Sequence, residues 1–337
     1  MMARRALSPV LFSASESVRT STAVASIVGE YLQHIRLVKT AWSARVDTWY
    51  LRNAFGLDGS SSPHLEVAHL EDLTTAHVSR FLDAVVEARN LSAKTGNRYR
   101  EILHRLVSWS MGQRGVVMPF NLNPVSWVER LRERRPGKRF LTLPEVAAQL
   151  DVLTPWPEFR AMVATLIYAG LRRSELLWLT PSDVDLAAGL HGMLRIRAKT
   201  VQGVSWEPKT GQERGVPISS SLRPFLASVS PGRTWFFPSP AGKRWDPDGF
   251  SRRLRDLNRG AGLVWSCLDY RHTFGSQLAM KGESLYKISA LMGNSPEICR
   301  RHYAALLPES LFEAVEFPSV GAVGAETEKD LQCLQVL

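Results

Sequence analysis

Three stretches of this chain hold Arg, Lys, His and Tyr in settings that plain surface charge does not explain. In the first, Ala169-Gly170-Leu171-Arg172-Arg173-Ser174-Glu175-Leu176-Leu177, an apolar helix is halted by Gly170 and a new helix starts beyond the turn. A helix N-terminus offers unpaired N–H groups and a positive dipole end, so an arginine at this turn is placed to hold a phosphate. A plain pairing of Arg172 with Glu175 would account for the same residues. The second stretch, Trp206 to Ile218, puts Lys209 at the mouth of an expected hairpin. A mobile ammonium there can reach into a cleft and give a proton to a leaving oxygen, although a lone hairpin lysine is more often just exposed. The third is Leu268-Asp269-Tyr270-Arg271-His272-Thr273-Phe274-Gly275-Ser276, followed by Leu291-Met292-Gly293-Asn294-Ser295 and then Arg300-Arg301-His302-Tyr303.

The elements that must position these groups are mostly helical. From Thr22 to about Met111, apolar residues recur at three- and four-residue steps: Ile27, Tyr31, Ile35 and Val38; then Trp42, Val46, Trp49 and Tyr50; then Val78, Phe81, Leu82 and Val85. Breaks at Gly56 to Pro63 and Asn90-Leu91-Ser92 make this a four-helix unit. Its last helix, capped by Ser92, carries Lys94, Arg98 and Arg105 on a face away from the apolar stripe. Then comes RLRERRPGKR, in which Arg130, Arg132, Arg134, Arg135, Lys138 and Arg139 meet a single Glu133; such a basic segment between folded units could cross a phosphate backbone as a strap. Beyond it Thr142, Pro144 and Glu145 open a second helical unit, interrupted where Leu194, Ile196 and Ala198 alternate with Arg195, Arg197 and Lys199. The fold class expected is mainly α with a small antiparallel β-sheet (α+β). The expected layout is an arm at 1–20, a helical domain at 21–125, a basic linker at 126–141, a second domain at 142–317 and a tail at 318–337 with apolar Leu331, Leu334 and Leu337.

Composition narrows the function classes. The chain has 337 residues, 45% hydrophobic and 22% charged, enough for about two domains with cores of their own. With 42 Lys+Arg against 32 Asp+Glu the net charge is +10, which favours polyanionic partners and puts nucleic acid first. No apolar run approaches the roughly 18 residues of a membrane helix. Cys267, Cys299 and Cys333 are scattered without C-x-x-C spacing, which supports neither a disulfide framework nor a zinc knuckle and fits a reducing cytoplasm.

Taken together in order, Gly-Leu-Arg-Arg-Ser-Glu-Leu, Lys209, Arg-His-Thr-Phe, Met-Gly-Asn-Ser and the late Tyr303 resemble the signature of the tyrosine recombinases, the phage integrase family. Thirty-two residues separate Arg271 from Tyr303, the usual family spacing. The resemblance covers both domains, a core-binding domain and a catalytic domain. It implies a site-specific DNA recombinase in which Arg172 and Arg271 clamp the scissile phosphate, Tyr303 attacks it to form a 3′-phosphotyrosyl link, and Lys209 is the general acid. It further implies no cofactor or metal, double-stranded DNA as partner, a homotetramer on paired sites with room for accessory DNA-bending proteins, and a cytoplasmic, nucleoid-associated location without a membrane. Glu175 and His272 fall in support of the site. Lys94, Arg98, Arg105, Arg134, Arg135, Lys138, Arg139, Arg252 and Arg253 are the expected phosphate contacts.

Two positions depart from the family pattern. Leu268 stands where the family usually has His, three residues before Arg271, and leucine can neither bond a phosphate nor move a proton. Asn294 stands where His or Trp is common, and is expected to donate a hydrogen bond to a phosphate oxygen. His272 is not expected to substitute for the missing histidine, because a helix neighbour points about 100° away from Arg271. His302, beside Tyr303, is read as a packing or surface group. The departures imply slow cleavage, with a catalytically silent DNA-binding relative and a type IB topoisomerase-like enzyme as the competing readings.

Overall fold

The computed structural model describes residues 22–133 and 139–304. The arm at 1–20, Arg134, Arg135, Lys138 and the tail at 318–337 lie outside the described residues. The chain divides into two units at Pro136–Gly137.

The first unit is built from α1 (Val24–Val38), α2 (Ala41–Ala54), α3 (Thr75–Ala88) and α4 (Ala93–Arg114). Thr40, Thr74 and Ser92 each accept the backbone N–H three residues on, so the last three helices start at side-chain caps. The third expected stripe is buried and so is the first except at its end: Ile27, Tyr31 and Ile35 join Val78, Phe81, Leu82 and Val85 and Tyr99, Ile102 and Leu106 of α4 in one core, whereas Val38, the last residue of α1, is exposed. The second stripe is a correction. Trp42 and Trp49 are exposed, and α2 turns Ala44, Asp47, Leu51 and Ala54 inward instead. Asp47 decides this rotation, because its fully buried carboxylate is ringed by Lys39 and by Arg98 and Arg105 of α4. Trp49 finds partners outside, under the Arg89 guanidinium at 5.1 Å and edge-on to Tyr50. Residues 126–133, expected in the linker, dock on α4: the Asn97 amide donates to the Leu131 carbonyl and to Glu133, and accepts the Leu131 N–H.

The second unit contains α5 (Leu143–Val152), α6 (Pro157–Ala169), α7 (Arg173–Leu177), β1 (Val184–Asp185), β2 (Met193–Ile196), β3 (Lys199–Val201), β4 (Val204–Trp206), β5 (Arg214–Pro217), α8 (Arg223–Ala227), α9 (Pro247–Gly260), α10 (Cys267–Met280), α11 (Leu285–Met292) and α12 (Pro296–Tyr303). Helix α6 is apolar on nearly every side because it is the centre of the core, with α10 across it. The period-two stretch resolves into two sheets. Antiparallel β1-β2-β5 pairs Leu194 with Val216, and the chain then leaves at Ile196 to form a separate β3–β4 hairpin. The tight turn of that hairpin is Gln202-Gly203, both at positive φ. Lys209 is therefore not at a hairpin turn, as the sequence suggested, but in the loop from β4 to β5.

If Asp47 sets the rotation of α2, Asp47→Ala strips Lys39 of its partner and leaves Arg98 and Arg105 with Glu101 alone. The unfolding free energy should fall by about 2 kcal/mol, less than for a fully buried pair because Arg98 and Arg105 keep partial access to water. Urea unfolding of the two proteins checks this, and equal midpoints would show that Asp47 does not hold the helix.

Candidate active site

The site grows out of the C-terminus of α6. Gly170, at φ +61°, ends that helix in the left-handed conformation, and the next turn presents Arg172 in extended backbone just before α7. The pairing of Arg172 with Glu175 exists: its backbone N–H and its Nη1 each donate to the carboxylate at 2.8 Å. Its Nη2 goes further, to the Gly293 carbonyl at 2.6 Å and to Asn294 Oδ1 at 2.7 Å. Arg173 turns the other way, to the Pro247 carbonyl and the Ser251 hydroxyl of α9.

Arg271 enters from α10 and is buried. It donates to the carbonyls of Gly170 and Met292, and to Asn294 Oδ1 at 2.9 Å. Asn294 has a part beyond the one expected of it. Its amide oxygen accepts from both guanidiniums and so ties the two arginines together, and its NH2 group keeps donors for a phosphate oxygen at the cleft.

A third arginine was missed. Arg214, at the start of β5, donates to Glu175 through both terminal nitrogens, at 3.1 and 2.7 Å, and through Nε to the Leu291 carbonyl. Its side chain is 7% exposed. The available signal was period two: Arg214 lies on the same strand face as buried Val216, and a cation on a buried face demands a carboxylate there.

The resulting cluster holds three guanidiniums against one carboxylate, an excess of positive charge with no phosphate present. Burial, reinforced by neighbouring Arg172, brings Arg271 down to about 10. Burial alone would raise Glu175, but hydrogen bonds and charge from Arg214 and Arg172 outweigh it and hold the carboxyl below its usual range. Arg172 and Arg271 each use three of their five N–H donors within the protein, which leaves two apiece for an anion.

These arginines line an open cleft of about 760 Å³ together with Lys209, Leu268, His272, Asn294, His302 and Tyr303. Lys209 is exposed at its edge, whereas the other lysine of this region, Lys199, is engaged by Asp183 and the Trp178 carbonyl. Leu268 is 61% exposed. The Tyr303 ring fills a notch that α10 leaves at Gly275, where an added Cβ would come within 2.4 Å of the Tyr303 ring. Burial pushes the hydroxyl up to about 12 against the opposing pull of Arg271. His272 Nδ1 stands 3.2 Å from that hydroxyl, which corrects the expectation that it points elsewhere. The angle to Arg271 was the wrong test: Gly275 lies one turn beyond both residues, so a ring seated there meets both. His302 packs edge-on to His272 and Tyr303.

The expected phosphate contacts divide. Lys94, Arg252 and Arg253 are exposed, with Arg253 over the Trp156 ring. Arg98 and Arg105 are held by Asp47 and Glu101. Arg139 pairs with Asp269 and stacks on Trp265, which fastens the start of the second unit to α10. Among the described residues, no group of His, Cys, Asp or Glu is placed to hold a metal ion, and no helix is long and apolar enough to cross a membrane.

Comparison with known proteins finds tyrosine recombinases and integrases. The profile of the phage integrase family matches residues 156–309. Tyrosine recombinase XerD of Yersinia pestis is 25% identical over 294 residues, covering 69% of this chain and 94% of its own length. Tyrosine recombinase XerC of Vibrio atlanticus is 26% identical over 185 residues, covering 51% of this chain and 56% of its own length, so that match spans little more than half of the relative. Among solved structures, the Tn1549 transposon integrase in complex with transposon right end DNA superposes with a TM-score of 0.73 at 17% identity, over 87% of this chain and all of that one. A lambda integrase tetramer bound to a Holliday junction does so at 0.64 and 15%, over 82% and 78%. At these identities the structural likeness is one of fold.

The depressed Glu175 carboxyl stabilises the folded state above the unfolded pKa, and that stability is lost as pH falls through the lower folded value. Glu175→Gln should therefore be markedly less stable than wild type at pH 7, and the gap should narrow below about pH 4. A gap that stays constant across an acid series of urea titrations would show that the carboxylate charge is not what binds the arginines.

Proposed function

We propose that this chain, whose residues 156–309 match the phage integrase family, acts as a tyrosine recombinase that cuts a DNA strand with Tyr303 and rejoins the held end to a different strand. The observation that supports it is the gathering of Arg172, Arg271, Lys209 and Tyr303 around one cleft whose arginines carry unspent N–H donors. A phosphodiester enters with one negative charge and gains a second as the pentacoordinate state forms, so a preformed cationic cluster favours the transition state over the ground state. Arg172 and Arg271 hold the non-bridging oxygens. Arg214 and Glu175 fix Arg172, and Asn294 ties Arg172 to Arg271 through its oxygen while its NH2 group donates to a phosphate oxygen. Tyr303 attacks phosphorus, leaving a 3′-phosphotyrosyl ester, and Lys209 protonates the departing 5′-oxygen. The ester keeps the energy of the broken bond, so rejoining draws on no external source.

The reading extends to the whole chain. The first unit serves as a core-binding domain that offers Lys94 to phosphates; the strap residues Arg134, Arg135, Lys138 and Arg139 and, on the second unit, Arg252 and Arg253 of α9 are further phosphate contacts. Four copies act on two paired duplexes, a reading supported by the shared fold of a lambda integrase tetramer bound to a Holliday junction; the reading also places the protein in the cytoplasm, on the nucleoid, with accessory DNA-bending proteins.

The test is covalent trapping. Wild-type protein is incubated with a pool of nicked duplexes of randomised sequence, and adducts that survive denaturation are recovered and sequenced. On the captured duplexes, Tyr303→Phe should bind with unchanged affinity and yield no adduct, and Lys209→Ala should slow cleavage by roughly 10²–10⁴-fold. An adduct in the phenylalanine variant at the wild-type level would overturn the assignment.

A further inference from the structure

We propose that His272 is the proton acceptor for Tyr303, a catalytic role that rests on the recombinase reading above. The two groups are already hydrogen-bond partners, Nδ1 to hydroxyl at 3.2 Å, on the floor of the cleft that holds the arginines. The phenol needs such a partner, because burial holds it far from spontaneous ionisation at neutral pH. No carboxylate lines this cleft among the described residues, and Leu268 brings only a hydrocarbon chain. The contact is rigidly built. His272 rides on the buried face of α10, which is locked at its start by a capping box between Ser266 and Asp269 and by Arg139. Tyr303 is pinned in the Gly275 notch from the other side.

The step balances as follows. A lone pair of the Tyr303 oxygen forms the bond to phosphorus while its proton passes to His272 Nδ1, in the tautomer that carries hydrogen on Nε2. The bond from phosphorus to the 5′-oxygen breaks, and the Lys209 ammonium supplies the proton to that oxygen. The phosphotyrosyl state then holds an imidazolium and a neutral amine, and religation by another 5′-hydroxyl returns both protons. The charged and titratable groups that share the cleft are Arg172, Arg173 and Lys209 from one side and Arg271, His302 and Tyr303 from α10 and α12.

His272→Asn tests this with little steric change, since its Oδ1 can occupy the place of Nδ1 and accept the same hydrogen bond but cannot take the proton. On duplexes captured by wild-type protein, single-turnover cleavage should fall by roughly 10²–10⁴-fold with DNA affinity and circular dichroism unchanged. The ascending limb of the pH–rate profile should vanish in the variant. A 5′-bridging phosphorothiolate, whose thiolate leaves without a proton, should rescue Lys209→Ala and leave His272→Asn slow. Cleavage by His272→Asn at the wild-type rate, or slower cleavage with the pH profile intact, overturns the proposal. Wild-type adducts that Tyr303→Phe abolishes would still stand in that case, so the recombinase reading fails or survives separately.

Discussion

The second unit is organised around one buried carboxylate. Glu175 receives the Arg172 backbone, the Arg172 side chain and two nitrogens of Arg214, and in doing so fastens the start of α7 to the start of β5. Guanidiniums at this spacing repel, and water is largely excluded, so without the carboxylate the arrangement would be expensive to hold. One anion among three cations stabilises the fold and leaves the charge excess that a phosphate would satisfy. Asn294 completes the arrangement with a neutral acceptor: its oxygen draws Arg172 and Arg271 to one point without cancelling their charge.

That arrangement needs backbone to pass close to side chains, and two glycines make room. At Gly293, φ +61°, a Cβ would stand 2.8 Å from the Arg214 guanidinium, so the carbonyl of this turn accepts from Arg172 while the same turn leaves space for Arg214. At Gly275 the missing side chain is what seats the Tyr303 ring. The loop after α11 and the notch in α10 are therefore parts of the site as much as the charged groups.

Much of this was legible in the sequence where local rules decide. The helical stripes of Ile27, Tyr31 and Ile35 and of Val78, Phe81 and Val85 face the core, and Gly170 stops its helix as its left-handed backbone allows. Legibility failed where one long-range charge overrode a local pattern. Trp42 and Trp49 look more apolar than Asp47, yet Asp47 is inside because its cations come from the preceding turn and from α4, more than fifty residues on. Arg214 was hidden for the same reason: nothing near it in sequence is acidic and buried, and its partner lies 39 residues earlier. The direction of the Asn294 amide likewise follows from two arginines brought together only by folding.

If His272 takes the Tyr303 proton, the site keeps a function that its sequence pattern at position 268 has lost. Measured from Arg271, His272 points about 100° away and looks irrelevant. Measured from position 268, where the family usually has histidine, it is four residues on, so it lies on the same stripe of α10 within about 40°, one turn along. A proton acceptor one turn along the helix from position 268 can serve any hydroxyl within its reach. The Gly275 notch seats Tyr303 with its hydroxyl 3.2 Å from His272 Nδ1, while Leu268 stands 61% exposed at the cleft.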